Sequence, residues 1–370
     1  MADSFMLEVP SSPDLYPLNV LREEHTLHFG VRSIANQWKE CLQAKPHTRI
    51  HPCLLPTPAN VKVVLGLKDD QHWTHQGERV AQCGEGSSAL EGSPNPDMLK
   101  EAPDLFERAS EGLQGDLVRL KLAWRLRTLE EDEREAWARV GVIVHGPMER
   151  IHLAPGAVLR DASLNTEGGD IVIGPDAEVM EGCRIRAPFA LGEGSALRMG
   201  TLVYGPTTIG SQCKVGGELS NVVIHDFSNK AHGGFLGNSV LGSWCNLGAE
   251  TTCSNLKNTY GEIAEWSESE GALKGRGRTF CGLLMGDHSK SAIHTAFNTA
   301  TVVGAMCNVF GAGMPPKYLP SFSWGTEGDV HDVERGLATA RKVMARRNVV
   351  MTPEEESRIR DAFAKRVGAD

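Results

Sequence analysis

The chain holds no Cys-x-x-Cys pair, no run of eighteen apolar residues, no long basic stretch and few aromatics. Each absence removes a class of function. The nine cysteines, Cys41, Cys53, Cys83, Cys183, Cys213, Cys245, Cys253, Cys281 and Cys307, are scattered without metal-ligand or redox spacing. They read as reduced thiols that pack like small apolar side chains, and no metal is expected. The opening MADSFMLEVP has neither a basic n-region nor an apolar h-region, so a cytoplasmic protein with no membrane partner is expected. A formal net charge of −9 and a pI near 5.8 give nucleic acid no electrostatic reason to bind. Aromatics make up only 6% of the residues. Glycine is plentiful instead, 40 of 370 residues, against an average share of about 7%. That balance suits many tight turns and small inward side chains.

What is present is a period of six. Ile173, Val179, Ile185, Leu191, Leu197, Val203, Ile209 and Val215 follow one another at that spacing without a miss. Leu241, Leu247 and Cys253 form a second phase, and Met285, Ser291, Phe297, Val303 and Val309 a third, with glycine commonly next after the apolar position. Neither helical periodicity nor strand alternation explains six, whereas a short strand plus a tight turn does. Three such units close one triangular coil, and stacking the coils buries each apolar residue on its counterpart one coil away. The expected architecture is mainly β: a parallel β-helix over residues 145–314, with residues 256–279 thrown out as a charged loop.

Around the solenoid the sequence divides into smaller parts. Residues 1–83 mix short apolar runs with a helix-like stretch and read as a small α/β domain. GEGSSALEGSPNP at 84–96 reads as a flexible linker, and the Leu-, Glu- and Arg-rich stretch to residue 144 as a helical connector capping the first coil. Residues 315–370 read as a helical tail. Its last helix opens with Thr352, Pro353 and Glu355, the composition of a capping box.

The period fails between Val215 and Leu241, and the segment there is rich in polar groups. SNKAHGGFLGNSVLGSWCNLGAETTCSN, residues 228–255, resembles the acetyltransferase half of the bifunctional glucosamine-1-phosphate acetyltransferase/N-acetylglucosamine-1-phosphate uridylyltransferase family. With VGGELSN, SNLKN, GDHSK and LPSFSWG, the stretch from Val215 to Trp324 is also similar to a bacterial family of sugar-nucleotidyltransferase-like hexapeptide proteins. The resemblance implies left-handed coils, a homotrimer, and acetyl-CoA or another acyl-CoA as co-substrate. It implies a sugar phosphate or nucleotide sugar as acceptor. On this match His232 is the general base, a role suited to imidazole because its pKa lies near neutrality. Glu218 matches the carboxylate that orients the base, Ala249 the residue whose backbone N–H stabilises the oxyanion, and Asn246 and Asn255 residues lining the substrate sites.

The chain departs from the family in two places. Ser220 stands where the acetyltransferase has a phosphate-binding lysine, and Tyr204-Gly205-Pro206 replaces an Arg-Pro-Gly. Lys230 and Lys257 are candidate phosphate contacts instead, Asp287 and His288 further substrate contacts, and Lys274, Arg276 and Arg278 candidate contacts to the cofactor. The N-terminal part resembles the start of the nucleotidyltransferase-like domain through Tyr16-Pro17-Leu18, Arg22, Phe29-Gly30 and Trp38, yet it has no G-x-G-T-R loop to hold a triphosphate. Acyl transfer is therefore the leading expectation. A non-enzymatic sugar-nucleotide-binding or scaffolding trimer and a sugar-1-phosphate nucleotidyltransferase are the alternatives.

Overall fold

The structure, a computed structural model, describes residues 5–368. Its centre is a parallel β-helix whose three faces are ladders of strands two to seven residues long. The first face stacks Ile151–Leu153, Ile171–Ile173, Phe189–Leu191 and Thr207–Ile209, and continues through Leu283–Met285 and Thr301–Val303. The second stacks Val158–Leu159 through Lys214–Val215, Asn229–Lys230, Asn246–Leu247 and Lys290–Ser291 to Ser323–Trp324. The third runs from Ile143–His145 through Ser163–Asn165, Arg184–Arg186 and Leu202–Tyr204. The inward residues of all three faces form one continuous core, from Val144 to Leu319.

The coil does not break where the six-residue period fails. Glu218–Ile224 and Phe235–Leu241 are seven-residue strands that turn a corner on one residue, pairing on the third face with their first half and on the first face with their second. Asn221 (φ 57°) and Asn238 (φ 46°) fall at these corners in the left-handed region, which asparagine tolerates better than most residues. The shorter corners shift the phase of the repeat while the stacking register Ile209, Ile224, Leu241, Met285 is kept.

The first face is buried on both sides. Its strands read Ile-Val-Ile, Phe-Ala-Leu and Leu-Leu-Met, whereas the third face reads Arg-Ile-Arg and Ser-Leu-Asn. The outward Val172 and Ala190 pack under Leu113 and Leu120. Val223, Val240, Leu284 and Val302 enter the core of the N-terminal unit. That unit is a four-stranded sheet, ordered Thr48–Ile50, Glu78–Cys83, Gln71–His75 and Ser88–Ala89, with helices α1 (Ile34–Cys41) and α2 (Pro58–Gly66). Ser33 and Thr57 accept from the backbone N–H three residues on, capping the two helices.

Residues 84–96 are not a free linker, because Ser88 and Ala89 pair with Gln71 and His72 at the edge of this sheet. The unit's core also extends past residue 83 to Leu105, Phe106 and Ala109. Helices α3 (Asp104–Glu107) and α4 (Ala109–Ala123) lie along the first face instead of across its end. A methyl group on Gly112 would stand 2.6 Å from the backbone N of Gly30, which is how closely α4 approaches the chain there. The first coil is closed by the segment that follows, with Arg127 and Thr128 pairing antiparallel to Leu153 and His152, and Trp137 of α5 (Arg134–Arg139) on the core. The last coil is covered by α6 (Val333–Ala345) and α7 (Pro353–Gly368), where Leu337 and Ile359 meet Met306 and Phe322. The capping box forms at α7: Thr352 N–H donates to Glu355 and Glu355 N–H to the Thr352 hydroxyl.

Polar contacts fasten the N-terminal unit to the prism. Arg22 donates from Nε and Nη2 to the two carboxylate oxygens of Asp287, at 2.8 and 2.6 Å, and Asp287 also accepts from Ser243 N–H. His225 is fully buried; its Nε2 accepts from the His28 N–H and its Nδ1 donates to the Leu241 carbonyl, which fixes a neutral tautomer. Burial, then the neighbouring His28 and Arg22, hold its pKa well below the usual 6.5.

Two outcomes follow from these contacts. Arg22→Ala leaves the Asp287 carboxylate buried without its partner and is expected to cost about 3–5 kcal/mol in chemical denaturation. Because His225 titrates lower in the folded chain, only the unfolded chain takes up the proton as pH falls through 6.5. Stability is then lost below that pH. The melting temperature is expected to drop between pH 7.5 and 5, and to drop less steeply in His225→Gln, whose amide can make the same two hydrogen bonds; an unchanged slope in the variant would rule out this imidazole as the source.

Candidate functional site

The two shortened corners put a lysine inside the prism. Lys230 pairs with Val215 at an inward position that carries an aliphatic side chain on most other coils and Ser291 on one. Its stem is buried, and Nζ donates to the carbonyls of Gly216, His232 and Gly233 at 3.0, 2.7 and 3.0 Å. Burial pushes its pKa down to about 8, so the ammonium is still the main form at neutral pH. Three backbone carbonyls converge on it, and two of them belong to the turn that presents His232. Lys230, expected as a phosphate contact, is thus enclosed and holds that turn in place.

His232 follows Asn229 by three residues as Ala249 follows Asn246, and Asn229 and Asn246 are paired on successive coils. The two residues therefore occupy equivalent corners, about 4.8 Å apart along the stack. Together with Asn246 they line a cavity of about 510 Å³ between the second face and the end of α6. Ile293 and Val343 give it an apolar wall, Ile293 being 65% exposed. Lys214, Lys290, Arg346 and Arg347 give it a basic rim. An imidazole and several cations around one opening can accept a proton and hold an anion.

The other candidate residues lie elsewhere. Glu218 starts a strand of the third face, and no hydrogen bond joins its carboxylate to His232 among the described residues. Asn255 donates to the Asn238 side chain at 2.7 Å. Lys257 donates to the Glu262 carbonyl. Asp287 is taken by Arg22, and His288 is buried beside Trp244, where burial pushes its pKa down to about 3.

The 256–279 excursion contains a hairpin of Ala264–Ser267 and Ala272–Gly275 and is docked on the N-terminal unit, with Ile263 in that unit's core. Arg276 pairs with Asp14 and Glu101, Arg278 with Glu101, Glu107 and Glu265, and Lys274 with Glu270. Their charges are compensated within the chain and lie away from the cavity that holds His232, so as cofactor contacts they are misplaced.

Sequence reasoning missed Lys214, Lys290, Arg346 and Arg347. The first two were detectable: Lys214, Asn229, Asn246 and Lys290 are paired in a single file on the second face, each immediately before an inward position. The arginines carry no such signal, because a basic pair at the end of a helix commonly offsets the helix dipole.

With this geometry in hand, comparison with known proteins gives the following. Bifunctional protein GlmU of a Nostoc species is 25% identical over 158 residues, covering 37% of this chain and 35% of that protein. GlmU of a Synechococcus species is 25% identical over 235 residues, covering 54% of this chain and 32% of that protein. The chain is similar to GlmU. It spans about a third of the length of these GlmU proteins, and the resemblance read from residues 228–255 is borne out at that level. An Arabidopsis UDP-N-acetylglucosamine acyltransferase structure is 15% identical with a TM-score of 0.22, covering 56% of this chain and 78% of that one. No family model matches the chain. No helix among the described residues is long and apolar enough to cross a membrane.

The turn offers its own test. Lys230→Met is expected to leave the three carbonyls without their shared donor, at about 1–3 kcal/mol. Faster amide hydrogen exchange confined to residues 231–234 is the expected signature, and unchanged exchange there would show that the lysine does not hold the turn.

Proposed function

We propose that this protein is an acyltransferase that moves an acyl group from acetyl-CoA or another acyl-CoA to an amino or hydroxyl group of a sugar phosphate or nucleotide sugar. The observation that carries the reading is the meeting of His232, Asn246 and Ala249 in one cavity with a basic rim. His232 comes from one coil and Asn246 and Ala249 from the next, and the stacking brings them to one opening. The similarity to GlmU supports the same reading.

In this reaction the acceptor's nitrogen or oxygen attacks the thioester carbonyl while His232 takes its proton. The negative charge that develops on the carbonyl oxygen is met by the Ala249 N–H, and the departing thiolate recovers the proton from His232. Glu218, whose carboxylate makes no hydrogen bond to His232 among the described residues, is assigned its orienting role in a homotrimer, where a neighbouring prism faces the site.

His232→Ala is expected to lower acyl transfer by about a hundredfold or more in a thiol-release assay, with KM for the acyl-CoA little changed. A rate equal to that of the unaltered protein would remove the base role.

One observation favours a second reading, a sugar-nucleotide-binding protein without catalysis. The N-terminal unit holds a cavity of about 1080 Å³ lined by Glu24, His51 and Glu78 beside Leu7 and Met98. On that reading nucleotide sugars raise the melting temperature and CoA thioesters do not.

A further inference from the structure

Four cationic side chains from three separate segments meet in the His232 cavity, and among the described residues no aspartate or glutamate lines it, the Glu250 carboxylate lying against Gly233 on the neighbouring corner. Lys214 and Lys290 stand on different coils of the second face, while Arg346 and Arg347 follow directly on α6. One arm of Arg347 donates to the Asn229 side chain at 3.1 Å, and Lys290 Nζ donates to the His288 carbonyl at 2.7 Å. Lys214 and Arg346 are exposed and enter no ion pair among the described residues. Elsewhere on the same tail Arg341 pairs with Glu356, and Arg360 with Glu334 and Glu356. Arg341 and Arg360 are thus neutralised within the tail, whereas Arg346 and Arg347 have no carboxylate partner among the described residues.

A helix dipole explains two basic residues at the end of α6. It does not explain why the second face sends two lysines to the same opening. Gathering like charges is unfavourable, and in a chain of net charge −9 such a cluster creates a local positive field that draws anions. The cluster also lies beside the proposed base, in a chain whose motif carries Ser220 in place of the expected phosphate-binding lysine.

From these observations we infer that the C-terminal tail completes the substrate site: Arg346 and Arg347, with Lys214 and Lys290, clamp a phosphate or diphosphate group of the molecule that the apolar wall of Ile293 and Val343 receives. The inference rests on the proposed acyl transfer for the position of that molecule, and on charge alone for its chemistry. A diphosphate is common to the nucleotide part of CoA and to a nucleotide sugar, and the same clamp serves either.

The test measures binding without turnover. Calorimetry of the full chain with inorganic pyrophosphate, CoA, dephospho-CoA and UDP-N-acetylglucosamine is compared between the unaltered protein, Arg346→Ala/Arg347→Ala, Lys214→Ala and the control Arg341→Ala. The arginine pair is expected to weaken at least one of these ligands by about 10–100-fold, Lys214→Ala by about tenfold, and Arg341→Ala not at all. Lys214 lies on the prism and outside the tail, so its loss cannot be blamed on an unfolded helix.

An effect on CoA alone assigns the clamp to the donor, and one on the nucleotide sugar alone to the acceptor. Affinities unchanged in both variants, or no binding of any of the four ligands by the unaltered protein, would overturn the inference. Weakened binding combined with an inert His232→Ala would keep the clamp and remove the catalytic reading. Normal binding in the arginine variant combined with a crippled His232→Ala would do the reverse.

Discussion

Each coil of the prism has to set an apolar side chain on the one beneath it, and most of the molecule is arranged around that requirement. A corner can be shortened, a phase shifted or a long excursion inserted, provided the next strand returns to register. The step from Ile209 to Ile224 to Leu241 to Met285 shows all three, with uneven spacing in sequence and an unbroken ladder in space. Polar chemistry enters only where this stacking leaves room, at corners and on outward positions. Lys230 is the charged exception that depends on the rule. It occupies an inward place, and its charge is tolerated because two successive corners supply three carbonyls.

The same requirement governs the other parts of the chain. The first face carries apolar residues outward as well as inward, so it needs a cover, and the N-terminal unit, α4 and the docked hairpin provide it. The ionic contacts at this junction are spread over distant parts of the sequence: Arg22 with Asp287, Arg276 with Asp14, Arg278 with Glu101. They fix the relative placement of surfaces already brought together by burial. The arginines of the excursion read as candidate cofactor contacts in the sequence because, Glu265 apart, their partners lie more than a hundred residues away.

Legibility followed range. The solenoid was readable because its signal repeats every six residues, and the capping box of α7 because it is contained within four. The corner residues Asn221 and Asn238 were not, since a shortened turn looks like a broken period until the register is known. The cover on the first face had a readable sign that passed unused: Ile171-Val172-Ile173 and Phe189-Ala190-Leu191 have no polar residue to give to solvent, in contrast to Arg184-Ile185-Arg186. At the site, His232, Asn246 and Ala249 were reachable through a local motif. Lys290 belonged to a noted motif but was set aside for Asp287 and His288, which face other partners. Arg346 and Arg347 reach the cavity only through the packing of the tail, and no local pattern marks them.

The double burial of the first face also bears on how the chain is made. The N-terminal unit leaves the ribosome first, yet part of its core is Leu284 and Val302, which are synthesised some two hundred residues later. Until those coils exist, the unit carries an apolar surface with nothing to sit on. Native pairings of such long sequence separation form late, and the interval before them is when a nascent chain is most prone to aggregate. The N-terminal unit therefore completes its core only after the prism that follows it in the sequence has formed.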